Sequence, residues 1–165
     1  MATVLGPTDG VAGSLGSIGV RFLISGATSG GGFALVEHPM PPHALAAPLH
    51  RHSHEDEYSV VLEGRIGALL GEEVVYGEPG DLIFRPRGQW HTFWSAGNTP
   101  ARMLEIIAPA GFEQYFAELV EGAAGTPPDP ASIAVLAERY GLELDFASIP
   151  RLCGQYGLTF GPTAP

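Results

Sequence analysis

The sequence contains no lysine and a single cysteine, and each scarcity excludes a class of chemistry. All eight basic residues are arginines, which excludes Schiff-base catalysis by a lysine amine and the lysine-dependent P-loop. Cys153 has no second cysteine for an intrachain disulfide, and no CxxC motif occurs. A reducing, cytoplasmic setting is therefore the expectation.

Long apolar runs and positive charge are also scarce. No run approaches the roughly 18 apolar residues of a membrane span. The N-terminus has neither a basic start nor an apolar h-region, so we expect no signal peptide. The net charge is −10, which argues against nucleic acid as a partner because phosphate binding needs a positive surface. We expect a small-molecule substrate and neither a nucleic acid nor a membrane.

Glycine and proline, by contrast, are frequent and separate short β-rich runs. There are 23 glycines and 15 prolines, and many short strands between turn signals are typical of an all-β sandwich or barrel. "LEGRIG" predicts a hairpin that turns at Glu63-Gly64. No internal repeat is present, which indicates one barrel. The predicted strands are 19–25, 32–40, 58–64, 65–71, 73–80, 81–86, 90–97 and 101–109.

The pattern changes to a helical one after Pro109. "GFEQYFAELVEG" places its aromatic residues and Leu119 on one helical face. In the next segment Asp129 can cap a helix that has Pro130 at its first position and ends at Gly141. We expect both helices to pack on the outside of the barrel. The predicted organisation is an N-terminal segment 1–18, a barrel 19–109, a helical appendage 110–160 and a flexible tail 161–165.

A dense cluster of histidines and acids lies in "PLHRHSHEDEYSVVLEG". His50 and His52 are two residues apart, so on a strand both side chains point to the same face, and Glu57 follows after four more residues. Two imidazoles and a carboxylate on one face suit a divalent transition metal. A second stretch, "GDLIFRPRGQWHTFWS", places His91 after a turn shaped by Pro86 and Gly88.

Together these stretches resemble the two signature motifs of the cupin superfamily. The first motif, G-x5-H-x-H-x3,4-E-x6-G, runs to Gly64, and the second, G-x5-P-x-G-x2-H-x3-N, starts at Gly80. Only the outer ends depart, since Ala44 replaces the leading glycine and Ser95 the final asparagine. The four positions that match the metal ligands of the family are His50, His52, Glu57 and His91.

The resemblance implies a double-stranded β-helix, or jelly-roll, cupin barrel with one or two C-terminal helices. It implies one divalent metal (Fe, Ni, Mn or Zn) held by three histidines and one glutamate. The first motif and the C-terminal helices are similar to bacterial single-domain cupins likened to flavonol (quercetin) 2,3-dioxygenases. In that group Glu57 would be both a ligand and the candidate catalytic base. An edge strand that needs cover predicts a homodimer.

Several residues near the two motifs have alternative interpretations. His54 is expected in a loop at the barrel mouth or beside the ligands, and Glu55 and Asp56 as solvated acids or as partners of a ligand imidazole. His38 and His43 are expected in loops or at the rim, with a role in the site as the alternative. Arg85 and Arg87 are expected at the surface of the second-motif turn. Strand alternation places Ser59, Val61 and Phe93 inward, and Phe33, Ile83 and Met103 are apolar residues that can complete a pocket wall. The alternative is that each of these is an ordinary core residue.

Three functional hypotheses follow from these residues. The first is a metal-dependent oxygenase that acts on a small aromatic or enolic compound. The second is an isomerase or hydrolytic enzyme that uses the metal only as a Lewis acid. The third is a non-catalytic metal-binding or small-ligand module, which a closed site with four protein ligands would favour.

Overall fold

Two antiparallel β-sheets form the body of the protein in this computed structural model, which describes residues 4–123 and 129–162. The larger sheet has the strand order β1-β2-β3-β10-β5-β8 and consists of Val11–Ser14 (β1), Gly19–Ile24 (β2), Ala34–Met40 (β3), Ala101–Ala108 (β10), Asp56–Glu63 (β5) and Leu82–Arg85 (β8). The smaller has the order β11-β4-β9-β6-β7 and consists of Leu142–Asp145 (β11), Leu49–His52 (β4), His91–Ser95 (β9), Ile66–Leu70 (β6) and Glu73–Gly77 (β7). This architecture is the predicted jelly-roll barrel.

Four helices accompany the sheets in the part of the chain that the structure describes: Gly26–Ser29 (α1), Glu113–Gly122 (α2), Pro130–Arg139 (α3) and Ser148–Tyr156 (α4). The predicted cap of α3 is present, since the Asp129 carboxylate accepts a hydrogen bond from the Ser132 N–H at 2.9 Å. Residues 124–128 of the predicted appendage and 163–165 of the predicted tail lie outside the described residues. None of the described helices has the length and apolarity to cross a bilayer.

Each of the eight predicted strands overlaps one strand of the structure, and three strands lie outside the predicted ranges. Of these, β4 was expected only from the spacing of His50 and His52, and β1 and β11 were missed. β1 lies in the predicted N-terminal segment and pairs with β2, while β11 lies in the predicted helical appendage and pairs with β4. Both are four residues long. Runs this short carry little periodicity, and their pairing partners decide whether they become strands.

The predicted hairpin at Glu63-Gly64 is wrong. β5 and β6 belong to different sheets, so the chain crosses from one sheet to the other between them. Gly64 has φ +69°, and a Cβ there would lie 2.6 Å from the Pro100 carbonyl oxygen. The glycine therefore serves a tight crossover, which a local turn signal cannot distinguish from a hairpin.

The helices pack in two different places, and this corrects the expectation that they lie outside the barrel. α4 packs on the outer face of the smaller sheet, where Leu152 contacts the cluster around Trp94. Residues of α2 and α3 instead join the inward-facing Val36 and Ile107 in one apolar cluster. These two helices therefore close one mouth of the barrel, above the histidine-rich end of its interior.

Candidate metal centre

Three histidines and one glutamate converge inside the barrel from both sheets. His50 on β4 lies directly opposite His91 on the neighbouring β9, and His52 points to the same side two residues later. Glu57 reaches the group from β5 of the other sheet. One ligand atom from each of the four lies within 4.8 Å of all the others, and all four residues are buried. We call these four residues the His/Glu cluster.

Two of the imidazoles are fixed with one particular nitrogen facing the centre of the cluster. The Nδ1–H of His50 donates to the Pro48 carbonyl at 2.8 Å, and that of His91 donates to the Gln89 carbonyl at 3.0 Å. Both carbonyls belong to the chain two residues before the histidine. The Nε2 atoms therefore face the centre of the cluster. A hydrogen bond from Nδ1 to a backbone carbonyl also orients histidine ligands in known metal sites.

His52 carries the orphaned atoms of the cluster. Neither of its ring nitrogens has a hydrogen-bond partner, although the side chain is 1% exposed. Its Nε2 lies 3.4 Å from Glu57 Oε1 and its Nδ1 lies 3.5 Å from Glu55 Oε2. Unpaired buried polar atoms are costly and rare in folded proteins. A cation between His52 and Glu57 would satisfy the Nε2 atom.

Burial favours the neutral form of His50 and His91, the form in which imidazole binds a metal. Desolvation lowers the pKa of His50 well below its usual range, and the nearby His91 and His52 lower it further. Desolvation also lowers the pKa of His91, against the opposing effect of the Glu57 carboxylate. Protons therefore compete less with a metal for His50 and His91 than they do for a free imidazole.

Glu57 is ionised for the opposite reason. Burial by itself raises the pKa of Glu57, but Arg85 and His52 outweigh it and hold that pKa well below its usual range. Its Oε2 lies 3.0 Å from His91 Nε2 and 3.3 Å from Arg85 Nη1. A bound cation would take the place of the proton that His91 Nε2 and Glu57 Oε2 otherwise share at this distance. The donor set would then be three imidazoles and one carboxylate, which fits a divalent transition metal such as Fe, Ni, Mn or Zn.

Arg85 is buried inside the barrel, which corrects its expected position at the surface. It is 1% exposed and links the ligand-type Glu57 to Glu105 on β10. Its guanidinium also donates to the Ser59 hydroxyl at 2.7 Å and lies 4.6 Å from the centre of the Phe93 ring. Arg87, in contrast, is exposed and pairs with Asp56 as expected for a surface residue.

His38 is likewise buried on β3 and not at the rim. Its Nε2 lies 3.0 Å from Glu105 Oε2, and its Nδ1 lies 2.9 Å from the Gly19 carbonyl. A chain of contacts therefore runs from Glu57 through Arg85 and Glu105 to His38. The sequence interpretation missed this network, which places two more charged side chains beside the His/Glu cluster.

The cluster opens into a cavity of about 120 Å³ beneath α2 and α3. Its polar wall consists of His38, His50, His52, Glu57 and Glu105, with Tyr115 contributing a phenol. The remaining lining is apolar and comes from the barrel, the helices and the C-terminal strand region: Leu15, Ile18, Ala46, Ala47, Pro48, Phe93, Phe112, Phe116, Leu119, Ile133, Leu142, Leu144, Phe146 and Phe160. The cavity is therefore apolar and largely aromatic apart from this polar wall.

Of the six predicted pocket residues, Phe93 lines this cavity and the other five do not. Val61, Ile83 and Met103 do point inward, but they pack in the apolar core beyond the cavity. Alternation along a strand distinguishes inward from outward positions and gives no depth along the barrel. Ser59 points inward, and its hydroxyl oxygen accepts a hydrogen bond from the Arg85 guanidinium.

Phe33 was placed inward by mistake, and it is 37% exposed. On β3 the residues buried towards the cavity side are Ala34, Val36 and His38. Phe33 is out of phase with that set. The sequence offered no anchor for the phase of β3, whereas His91 and Glu57 fixed the phase of their own strands.

The acidic and histidine neighbours of the cluster divide into several environments. His54 is exposed in the turn after β4 and is not part of the cluster. Glu55 is buried beside His52, so it is not the expected solvated acid. Asp56 is partly exposed and bound to Arg87. His43 lies near the rim, where its Nε2 is 2.9 Å from Asn98 Oδ1.

The alternation along β8 and β10 could have predicted that Arg85 and Glu105 point inward, which the sequence interpretation missed. Ile83 and Met103 were both placed inward, and positions two residues further along each strand, Arg85 and Glu105, face the same side. Their charge suggested the surface, yet buried charges are tolerated when they are paired. The pairing arises between strands distant in sequence, and composition does not show it.

Comparison with known proteins gives a family match for the centre of the chain. The model of the cupin domain matches residues 37–107, which contain the whole His/Glu cluster. The chain is 35% identical over 60 residues to the tetracenomycin polyketide synthase protein TcmJ of Streptomyces glaucescens. That stretch covers 36% of this chain and 40% of TcmJ, so the chain spans well under half of that relative.

Solved structures share the architecture at low sequence identity. KdgF from Halomonas sp. superposes with a TM-score of 0.60 at 14% identity, covering 69% of this chain and 99% of KdgF. A predicted oxalate decarboxylase from Thermotoga maritima gives a TM-score of 0.52 at 25% identity, covering 56% of this chain and 80% of the other. The KdgF likeness establishes the fold and nothing about activity.

Proposed function

The chain belongs to the cupin superfamily, and from that premise we propose that it binds one divalent transition metal in the His/Glu cluster and acts as an oxygenase on a small aromatic or enolic compound. The observation that carries the proposal is the buried Nε2 of His52, which lacks a hydrogen-bond partner and faces Glu57. His50, His52, Glu57 and His91 would hold the ion. A metal bound there supplies Lewis acidity and, when redox-active, a centre for dioxygen chemistry.

The residues of the chain supply the surroundings that such chemistry needs. Phe112 stacks edge-on against His52 at 4.3 Å between ring centres. With Phe93 and Phe116 it keeps one side of the cluster apolar, which excludes water and strengthens electrostatic interactions inside the cavity. Glu57 is ionised and can accept a proton from a bound hydroxyl. Because its pKa is low, Glu57 is a weak base, and this role requires a substrate with an acidic hydroxyl.

The substrate class follows from the size and lining of the cavity. A cavity of about 120 Å³ is close to the roughly 150 Å³ apolar cavity that holds benzene. One six-membered ring therefore fits under α2 and α3. A three-ring flavonol would require these helices to move. The partial similarity to a polyketide synthase protein agrees with an enolic substrate, because alternating carbonyls in a polyketide enolise readily.

An oxygen electrode separates this proposal from its alternatives. Protein purified without chelator is loaded with Fe, Ni or Mn and mixed with single-ring enols and phenols. Oxygen consumption above that of the Zn-loaded protein is the expected result, and His52→Ala should abolish it. Conversion of the same compounds without oxygen uptake would instead support a Lewis-acid enzyme. The similarity to a predicted oxalate decarboxylase keeps that alternative open.

We also propose that two copies of the chain associate. β8 is an edge strand of the larger sheet, and its Leu82 and Phe84 are exposed. Exposed apolar edge strands in stable proteins are usually covered. Light scattering after size-exclusion chromatography should give twice the mass of the chain. A monomer at all accessible concentrations would contradict the proposal.

A further inference from the structure

A second polar group lies in the wall of the same cavity, on strands that contribute no residue to the His/Glu cluster. His38 on β3 and Glu105 on β10 are each 1% exposed, and both line the cavity. The two strands are neighbours, with His38 opposite Met103 and Glu105 opposite Val36. The two side chains are therefore diagonal neighbours on the inward face. We call them the His38–Glu105 pair.

The hydrogen bonds of His38 require a proton between the two residues. The Gly19 carbonyl can only accept, so the Nδ1 atom, 2.9 Å from it, carries a hydrogen. The Nε2 atom lies 3.0 Å from Glu105 Oε2. A neutral imidazole and an ionised carboxylate would place two lone pairs against each other at that distance. One proton must therefore lie between Nε2 and Oε2.

The other oxygen of Glu105 is held by Arg85, which also contacts Glu57. Arg85 itself is braced by the Ser59 hydroxyl and by the face of Phe93. Glu105 is consequently fixed at both oxygens, each of which still has a lone pair to offer. A carboxyl group held in this way is a preorganised hydrogen-bond acceptor in a low-dielectric cavity.

The surroundings of the pair are aromatic. The His38 ring lies 5.5 Å from the Phe116 ring in an edge-on arrangement and 6.1 Å from the Phe93 ring. A ring-shaped ligand in this cavity would bring its substituents near both Glu105 and the His/Glu cluster. The cavity therefore offers two polar groups, the His38–Glu105 pair and the cluster, in an otherwise apolar lining.

We propose that Glu105, held by Arg85 and His38, accepts a hydrogen bond from a hydroxyl group of the ligand and makes the cavity selective for hydroxylated rings. The inference rests on the proposed function only in taking this cavity as the substrate site. A hydrogen bond to such a group is worth about tenfold or more in affinity. Glu105 is then a specificity-determining residue, and His38 positions it.

The test compares two probes of nearly equal shape, phenol and toluene, by calorimetry with the full chain in metal-free and Zn-loaded forms. The quantity measured is the ratio of phenol to toluene affinity. Glu105→Met removes the acceptor with little change in length, and Glu105→Gln keeps a weaker, neutral one. The ratio should fall at least tenfold in Glu105→Met and by a smaller factor in Glu105→Gln. Phe116→Leu, a control in the apolar wall, should weaken both probes and leave the ratio unchanged.

Ring ¹⁵N chemical shifts give a readout that a purely structural role would not move. The Nε2 signal of His38 should shift when phenol binds and stay in place when toluene binds. Thermal melts establish that each variant is folded, and Glu105→Gln decides the question if Glu105→Met unfolds. An unchanged affinity ratio in folded Glu105→Gln, with an unmoved Nε2 signal, would overturn the proposal. Failure to bind metal would leave this ratio intact, so the two proposals fail separately.

Discussion

The interior of the barrel contains an apolar half and a polar half, built on the same strands. The inward-facing residues change character within two positions: Val61 to Ser59 and Glu57 along β5, and Ile83 to Arg85 along β8. The same change occurs from Met103 to Glu105 along β10. The apolar half is a packed core, whereas the polar half buries charges and leaves ring nitrogens of His52 unpaired.

The two halves contribute to stability in opposite ways. Burial of the apolar residues stabilises the barrel, whereas burial of the charged residues costs stability. Burying Met103 is favourable by itself. Burying Glu57 or Glu105 costs free energy, which Arg85 offsets in part. The polar half is therefore retained at a cost to stability, as expected for a functional site.

The sharpest contrast between the halves is expected for metal affinity. His91→Ala removes one imidazole and leaves Glu57 without its partner at 3.0 Å. Since a structural metal contributes about 10–16 kcal/mol over four ligands, or about 2.5–4 kcal/mol each, the loss of one ligand should weaken binding roughly 70-fold to 900-fold. Isothermal titration calorimetry with Zn²⁺ measures the affinity of the variant and of wild type. Wild-type affinity in this variant would remove His91 from the site.

The central charge of the polar half is tested by Arg85→Met, which leaves two buried carboxylates without their cation. Breaking a buried pair in this way typically costs about 3–5 kcal/mol. Urea unfolding of the metal-free variant should show this loss. Added Zn²⁺ should restore more stability to the variant than to wild type, because the ion compensates Glu57. Equal metal stabilisation of both proteins would contradict the charge balance described for this site.

The matched change in the apolar half is Met103→Ala, two residues from Glu105 on the same strand. Met103 is fully buried in the core cluster, so its truncation should cost about 2–5 kcal/mol of unfolding free energy. The stoichiometry of bound metal should stay at that of wild type. A variant that is stable but loses its metal would show that the two halves are not separable.

A smaller effect is expected from pH. Burial lowers the pKa of His50 and of His91 in the folded protein, while the unfolded chain titrates near the ordinary value of about 6.5. Below that value the unfolded state binds more protons, so the stability of the metal-free protein should be complete above about pH 6.5 and fall as the pH decreases. Urea midpoints between pH 8 and pH 5 provide the measurement. Stability should fall less steeply with decreasing pH in the His50→Gln variant than in wild type. An equally steep fall would show that His50 does not contribute to the pH dependence.

The strand-level fold and the membership of the cluster were predictable because both depend on local spacing. His50, His52 and Glu57 lie within eight residues on two strands that are consecutive in the chain, and His91 lies opposite His50 on β9. Alternation from His91, two residues earlier on the same strand, also placed Phe93 correctly inward. Phe33 failed because β3 had no such anchor.

The parts that the sequence did not show depend on contacts between distant segments. β11 is a strand because β4 offers it a free edge. His38 and Glu105 are buried because each finds the other across 67 positions of the chain. Arg85 is inside because two carboxylates on different strands face it. Such pairing is fixed by tertiary structure and leaves no periodic trace in the sequence.

X-ray absorption at the metal edge of Fe- or Zn-loaded protein reports the ligands of the bound ion. We expect one ion with three imidazole nitrogens and a carboxylate oxygen in its first coordination sphere, at about 2.0–2.2 Å for zinc. His52→Ala should remove one imidazole from the spectrum. A spectrum of oxygen ligands alone, or one unchanged in His52→Ala, would contradict this set of ligands.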